Sequence, residues 1–179
     1  MNGVLVVCLR GRALPGAVLA LLLLAAAIAS SGCNSSPLLA HALSSDEAVA
    51  RAVLDALARN DTQELIRLSL TKGEFEGIVW PVLPASRPDV GVTSDEVWRD
   101  TANKSRAYLA RTLSELGGRR LELMRIEFGG ATTEHGAYSL SRKTRLIVRN
   151  EVGAEERVRV FGSIIRQRGQ SKVYSYIVD

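Results

Sequence analysis

At Gly117-Gly118 the hydrophobic period of the chain changes from helical to strand-like, and this switch limits the fold more than any other feature of the 179 residues. Before it, Val49, Ala52, Val53, Ala56 and Leu57 recur at i, i+3, i+4, i+7 and i+8, the stripe of an amphipathic helix. Ser44 and Glu47 stand where an N-cap and its reciprocal partner belong, and the pattern ends near Asn60. Asp61 with Glu64, and Thr71 with Glu74, repeat the arrangement and predict two shorter helical pieces, the second ended by Pro81. A loop over residues 81–92 holds three of the five prolines. The longest helix then starts at Ser94-Asp95-Glu96-Val97. One face of it reads Val97, Trp98, Ala102, Ser105, Tyr108, Leu109, Thr112, Leu113.

After Gly118 the spacing predicts strands over 119–128, 134–149, 156–166 and 172–178, with turn residues at Gly129-Gly130, 150–153 and 167–170. The apolar parity slips between Leu123 and Met124, as a bulge or a strand with both faces covered would make it, and again at Val160-Phe161. Helices followed by a run of strands mean an α+β domain with helices packed on one face of an antiparallel four-stranded meander.

The chain begins with a different kind of segment. Its first 32 residues hold 22 of the apolar set and no acidic residue, and Arg10 and Arg12 precede an apolar run from Ala13 to Ala29. That is the layout of a secretory signal. A membrane-spanning helix needs about 20 apolar residues; this run is shorter and carries Pro15-Gly16 near its start. Ser30-Ser31-Gly32-Cys33 follows and resembles the lipobox of bacterial lipoproteins, with Ser30 where an aliphatic residue is usual. The resemblance implies cleavage after Gly32, a diacylglyceryl thioether on Cys33 and often a further acyl chain on the new amine. Ordinary cleavage near Ala29-Ser30-Ser31 or at Ala40-His41-Ala42 is the competing reading. Residues 1–32 are thus read as a lipoprotein signal peptide, 33–43 as a flexible tether with a reach of roughly 16–19 Å, and 44–179 as one domain. In bacterial lipoproteins of enteric type an Asp after the Cys favours inner-membrane retention; with Asn34 in that place, the resemblance implies the outer membrane, facing the periplasm.

The helical opening ending in Ala56-Leu57-Ala58-Arg59-Asn60-Asp61, a later long helix and a C-terminal antiparallel meander together resemble the nuclear-transport-factor-2-like, or cystatin-like, α+β cone. With the lipobox, the chain is similar to small bacterial lipoproteins that carry such a domain. The resemblance implies a curved, cone-like sheet whose space beneath the helices is either a pocket or filled by side chains. Trp98, Tyr108 and His135 are the candidates to line it.

Little else in the sequence points to chemistry. Cys8 falls in the leader and Cys33 at the lipid site, which removes disulfide scaffolds and cysteine zinc sites. No His/Asp/Glu set has metal-ligand spacing, and the glycine pairs lack a phosphate-loop context, so no cofactor is expected. His135 beside Glu134 forms a candidate acid/base couple, with a polar hairpin end as the plainer alternative. Asp95, Glu96 and Asp100 are accounted for by the start of a helix. Residues 33–118 carry 9 basic and 12 acidic side chains, against 12 and 7 in 119–179. The densest basic spots are Arg142-Lys143-Thr144-Arg145 and Arg166-Gln167-Arg168, too small to indicate nucleic acid. The function expected is a lipid-anchored envelope module that binds a small apolar ligand or an envelope protein. An enzyme using a cone pocket and a purely structural protein are the alternatives.

Overall fold

The computed structural model describes residues 37–178. The leader and Cys33 lie outside the described residues. Among the described residues four α-helices come first: α1 (Asp46–Ala58), α2 (Thr62–Arg67), α3 (Lys72–Glu74) and α4 (Ser94–Leu116). Each N-terminus satisfies free backbone N–H groups with a side chain. For α1 the cap is Ser45, one residue later than the spacing predicts: its hydroxyl accepts from the Ala48 amide at 3.1 Å, so Glu47 has no reciprocal role. Asp61 caps α2, and Thr71–Glu74 and Thr93–Glu96 form full capping boxes on α3 and α4. After α3 the chain widens into a π-turn, Phe75–Val79, then tightens into three short 3-10 turns across the proline-rich stretch. Pro81 sits inside the first of these rather than ending a helix.

Seven strands follow: β1 (Glu122–Phe128), β2 (Thr133–Glu134), β3 (Ser139–Arg142), β4 (Thr144–Arg149), β5 (Glu155–Val158), β6 (Ser163–Gln167) and β7 (Gln170–Ser175). They form two antiparallel sheets, ordered β1-β4-β5 and β2-β3-β6-β7, so the class is α+β. The single strand expected over 134–149 is broken twice. Residues 135–138 turn the chain between β2 and β3. Lys143, at φ +55°, then ends β3 and passes the chain to the other sheet as β4. The run expected over 156–166 divides likewise, between β5 and β6. Thr144 ties the two crossings together, because its amide and its hydroxyl both donate to the Gly162 carbonyl, at 3.1 and 3.2 Å. The parity slip at Val160-Phe161 marks this crossing, where both residues are buried. The slip at Leu123 is a bulge: Leu123 pairs with Val148 and Arg125 with Ile147, leaving Met124 unpaired and exposed.

Apolar side chains gather in two clusters. The first joins the buried face of α1 to Leu146, Val148, Phe161, Val173 and Tyr176. The second joins Phe75, Ile78 and Val79 to Tyr138, Leu140 and Ile165, with Trp80 and Trp98 packed on its edge. Full burial of a side chain such as Phe75 or Leu57 stabilises by about 1.5–3 kcal/mol. Leu39 belongs to the second cluster, and with it the stretch expected to be a tether. Residues 37–43 instead lie along the domain. The Leu39 amide donates to Gln167 Oε1 and Gln167 Nε2 donates to the Pro37 carbonyl, both at 3.1 Å, while Leu43 bridges to Ser171.

The strongest tie on this strap is a buried ion pair. Lys172, 1% exposed, donates from Nζ to both oxygens of Glu74 at 2.9 Å and to the Ala40 carbonyl at 2.7 Å. Glu74 also accepts from the Ala40 amide at 2.6 Å and from the amide and hydroxyl of Thr71 at 2.7 and 2.9 Å. Every acceptor site of this carboxylate that faces protein has a donor, the condition under which a buried charge is tolerated.

Candidate functional site

The face of α4 that reads as continuously apolar is not continuously buried. Only Leu109, Thr112 and Leu116, in its second half, are buried, while Val97, Trp98, Ala102 and Ser105 are half-exposed. The first half of the helix is only half-buried, and beneath it is a cleft of about 430 Å³. Its walls come from three places: Ile66, Ser69, Leu70 and Thr71 after α2; Trp98, Thr101, Ala102, Ser105, Arg106 and Leu109 on α4; and Tyr174, Ser175 and Tyr176 at the end of β7.

Local chemistry holds these walls apart. The Tyr176 amide donates to Ser105 Oγ at 3.0 Å and the Tyr176 hydroxyl donates to the Leu65 carbonyl at 2.7 Å, which locks the end of β7 to both helical walls. Trp98 stacks obliquely on Phe75, centroids 5.5 Å apart, so its indole is supported from behind and offers its remaining surface to the cleft. At the mouth, Arg106 is held along α4 by the Asn103 side chain and the Ala102 carbonyl. The lining is mostly apolar with a few polar groups, and the volume lies within the range of small-molecule sites.

Burial pushes the phenols of Tyr174 and Tyr176 above the ordinary tyrosine value, so both face the cleft as neutral groups. Tyr138, in the second cluster, is pushed up to about 12 for the same reason. In the unfolded chain these phenols ionise near pH 10. Above that pH the unfolded state binds fewer protons than the folded one, so stability falls as pH rises. Their contribution is therefore fully present below about pH 10 and is lost on the way toward pH 12. Urea midpoints measured from pH 8 to pH 11.5 are expected to drop steeply over the upper part of this range, and less steeply in Tyr138→Phe.

No known family, curated protein or solved structure matches this chain. The site therefore stands on its own geometry.

Of the three residues expected to share a pocket, only Trp98 lines the cleft. Tyr108 does not line the cleft; it packs on the first apolar cluster beside a separate hollow with Arg111, Glu115 and Arg159. His135 sits in the β2–β3 hairpin, where its ring stacks on Tyr138 at 4.7 Å between centroids. Its Nε2 is buried without a hydrogen-bond partner, and the neighbouring Glu134 is exposed. Among the described residues no cluster of His, Cys, Asp or Glu is arranged to hold a metal ion.

The charged groups singled out in the sequence resolve into structural pairs. Asp95 meets Lys72 at 2.5 Å, Glu96 serves the Thr93 cap, and Asp100 meets Lys104 at 2.7 Å. The basic spot at 166–168 is half neutralised, because Arg166 forms a forked pair with Asp46, donates to Ser141 and lies over the Phe128 ring. Sequence reasoning missed Tyr174 and Tyr176, the deeper wall of the cleft. Residues 171–173 are all buried, so the alternation that would have assigned faces to β7 is missing.

Proposed function

We propose that this protein is an envelope lipoprotein, anchored through Cys33 at the outer membrane and facing the periplasm, and that the cleft under α4 binds a small, largely apolar ligand. The helices and the two sheets, joined at the Lys143 and Gly162 crossings, are read as one sharply bent meander of the nuclear-transport-factor-2-like cone. In such a cone the space between helices and sheet is the natural ligand site. The observation that carries the reading is the cleft itself. It has an aromatic and aliphatic lining, neutral phenols on its inner wall and Arg106 at its mouth. A ligand with an apolar body and one polar or anionic end matches that distribution. A binding role is favoured over catalysis because His135, the candidate base, lies in a hairpin whose residues do not line the cleft.

The test is titration of the mature domain with an apolar fluorescent probe and with medium-chain fatty acids, read by tryptophan emission and probe fluorescence. Saturable binding at micromolar concentrations is expected. Ala102→Phe places a ring inside the cleft from a half-exposed position and should weaken binding roughly tenfold or more, about 1.4 kcal/mol, with little change in thermal stability. Binding that is absent, or indifferent to this substitution, would sink the proposal.

A further inference from the structure

Where the strap begins sets how the body sits on its membrane. Pro37 is fixed: its carbonyl accepts from Gln167, and its ring lies directly over Gly77, where a Cβ would come within 2.6 Å of Pro37 Cγ. Between Pro37 and Cys33 the sequence holds only Asn34, Ser35 and Ser36. Four residue steps span at most about 14 Å when fully extended. The headgroup region is about 5–7 Å deep on each side of the hydrocarbon core. A domain held on so short a lead has no room to stand clear of the surface or to tumble freely above it.

We propose that the face around Pro37 rests on the headgroup layer of an anionic bilayer. This rests on reading Cys33 as the lipid attachment site. The composition of the face fits such a contact. Leu38 is 57% exposed beside its buried neighbour Leu39, and Trp80-Pro81-Val82 follows Gly77 by three residues, with Val82 41% exposed. Arg168 is next to the Gln167 that clasps Pro37, is exposed, and makes no ion pair among the described residues. Aliphatic side chains, an indole and a free guanidinium are the groups that partition to a membrane interface. The far end of α1 gives the contrast: the helix starts just after the strap and runs about 20 Å over its thirteen residues. Its C-terminal turn borders Asn150 and Glu151, next to Val152, which is 87% exposed.

The mature chain has no free thiol if Cys33 is acylated, because Cys8 leaves with the leader, so one introduced cysteine can carry a fluorophore cleanly. The full lipidated protein with Leu38→Cys, Val82→Cys or Val152→Cys is reconstituted in phosphatidylcholine–phosphatidylglycerol vesicles that carry a headgroup acceptor dye. Energy transfer at positions 38 and 82 is expected to exceed that at 152 by roughly threefold or more, given the ~20 Å length of α1 between the strap and the Val152 turn. A ten-residue Gly/Ser insertion after Ser35 should erase most of that difference, and Arg168→Glu should reduce it. Labelled palmitate incorporation, abolished by Cys33→Ala, tests the anchor separately. Lipidation with equal transfer at all three positions overturns the orientation and leaves the anchor standing. Absence of incorporation overturns both.

Discussion

Replacing Lys172 by Met should destabilise the domain by about 3–5 kcal/mol, the range for removing one partner of a buried ion pair. The substitution preserves much of the side-chain volume and removes the ammonium that bridges Glu74 and the Ala40 carbonyl. Glu74 keeps its bonds from Thr71 and the Ala40 amide, but its charge stays buried with no countercharge in contact. Domains of this size are stable by only about 5–15 kcal/mol, so the loss removes a large share of the total. Urea denaturation should show a lower midpoint with an unchanged slope. The double variant Lys172→Met/Glu74→Gln removes the orphaned charge and should recover more than half of the loss. If the double variant is no better than the single one, the damage lies in packing and not in electrostatics. Because the pair also holds the strap, amide exchange at Leu39 and Ala40 should accelerate in the single variant well before the rest of the domain opens.

Gly162→Ala should cost about 3 kcal/mol, the upper end of what overpacking does. An added Cβ there would stand 1.7 Å from the Ile177 carbonyl oxygen and 2.9 Å from its carbon, and this obstacle is backbone, which cannot rotate aside. The same residue receives both Thr144 bonds on its carbonyl and donates its amide to Ser175 at 3.1 Å. A shift that relieves the clash therefore pulls at both sheet crossings. Gly73→Ala is the matched control. Nothing lies within 4 Å of its Cβ position, and in the short α3 the change should be neutral or stabilise by up to about 1 kcal/mol. Thermal unfolding of the two variants side by side separates close backbone approach from the general effect of losing a glycine. Equal and small shifts would mean the crossing is more pliable than its geometry implies.

Part of the site was legible beforehand. Trp98 is a candidate to line or to fill a pocket because its spacing puts it on the inward face of a strong helix, and it lines the cleft. Tyr108 shares that face in a helical projection, ten residues further along. By then α4 has come down onto the first apolar cluster, and the residue packs instead of lining a space. His135 is a candidate by residue type and by its place beside Glu134. Residue type says nothing of whether a hairpin end points toward a cleft or across its own neighbour, and here the ring lies on Tyr138.

The sequence by itself determined the α+β class, the capped starts of α2 and α3, the start of α4 and the two slips of apolar parity, at Leu123-Met124 and Val160-Phe161. Each of these is written in local spacing: a cap needs partners three residues apart, and a bulge or crossing shifts the period-2 pattern where it occurs. Only the tertiary structure decided that two sheets replace one, that a cleft opens under half of α4, and that residues 37–43 are bound down. The physical reason is distance along the chain. Lys172 meets Glu74 across 98 residues and Ala40 across 132, and Tyr176 reaches Leu65 across 111. Nothing in the immediate neighbourhood of any of these residues records its partner, so a lysine in a strand and a glutamate in a capping box read as ordinary surface charges until the fold brings them together.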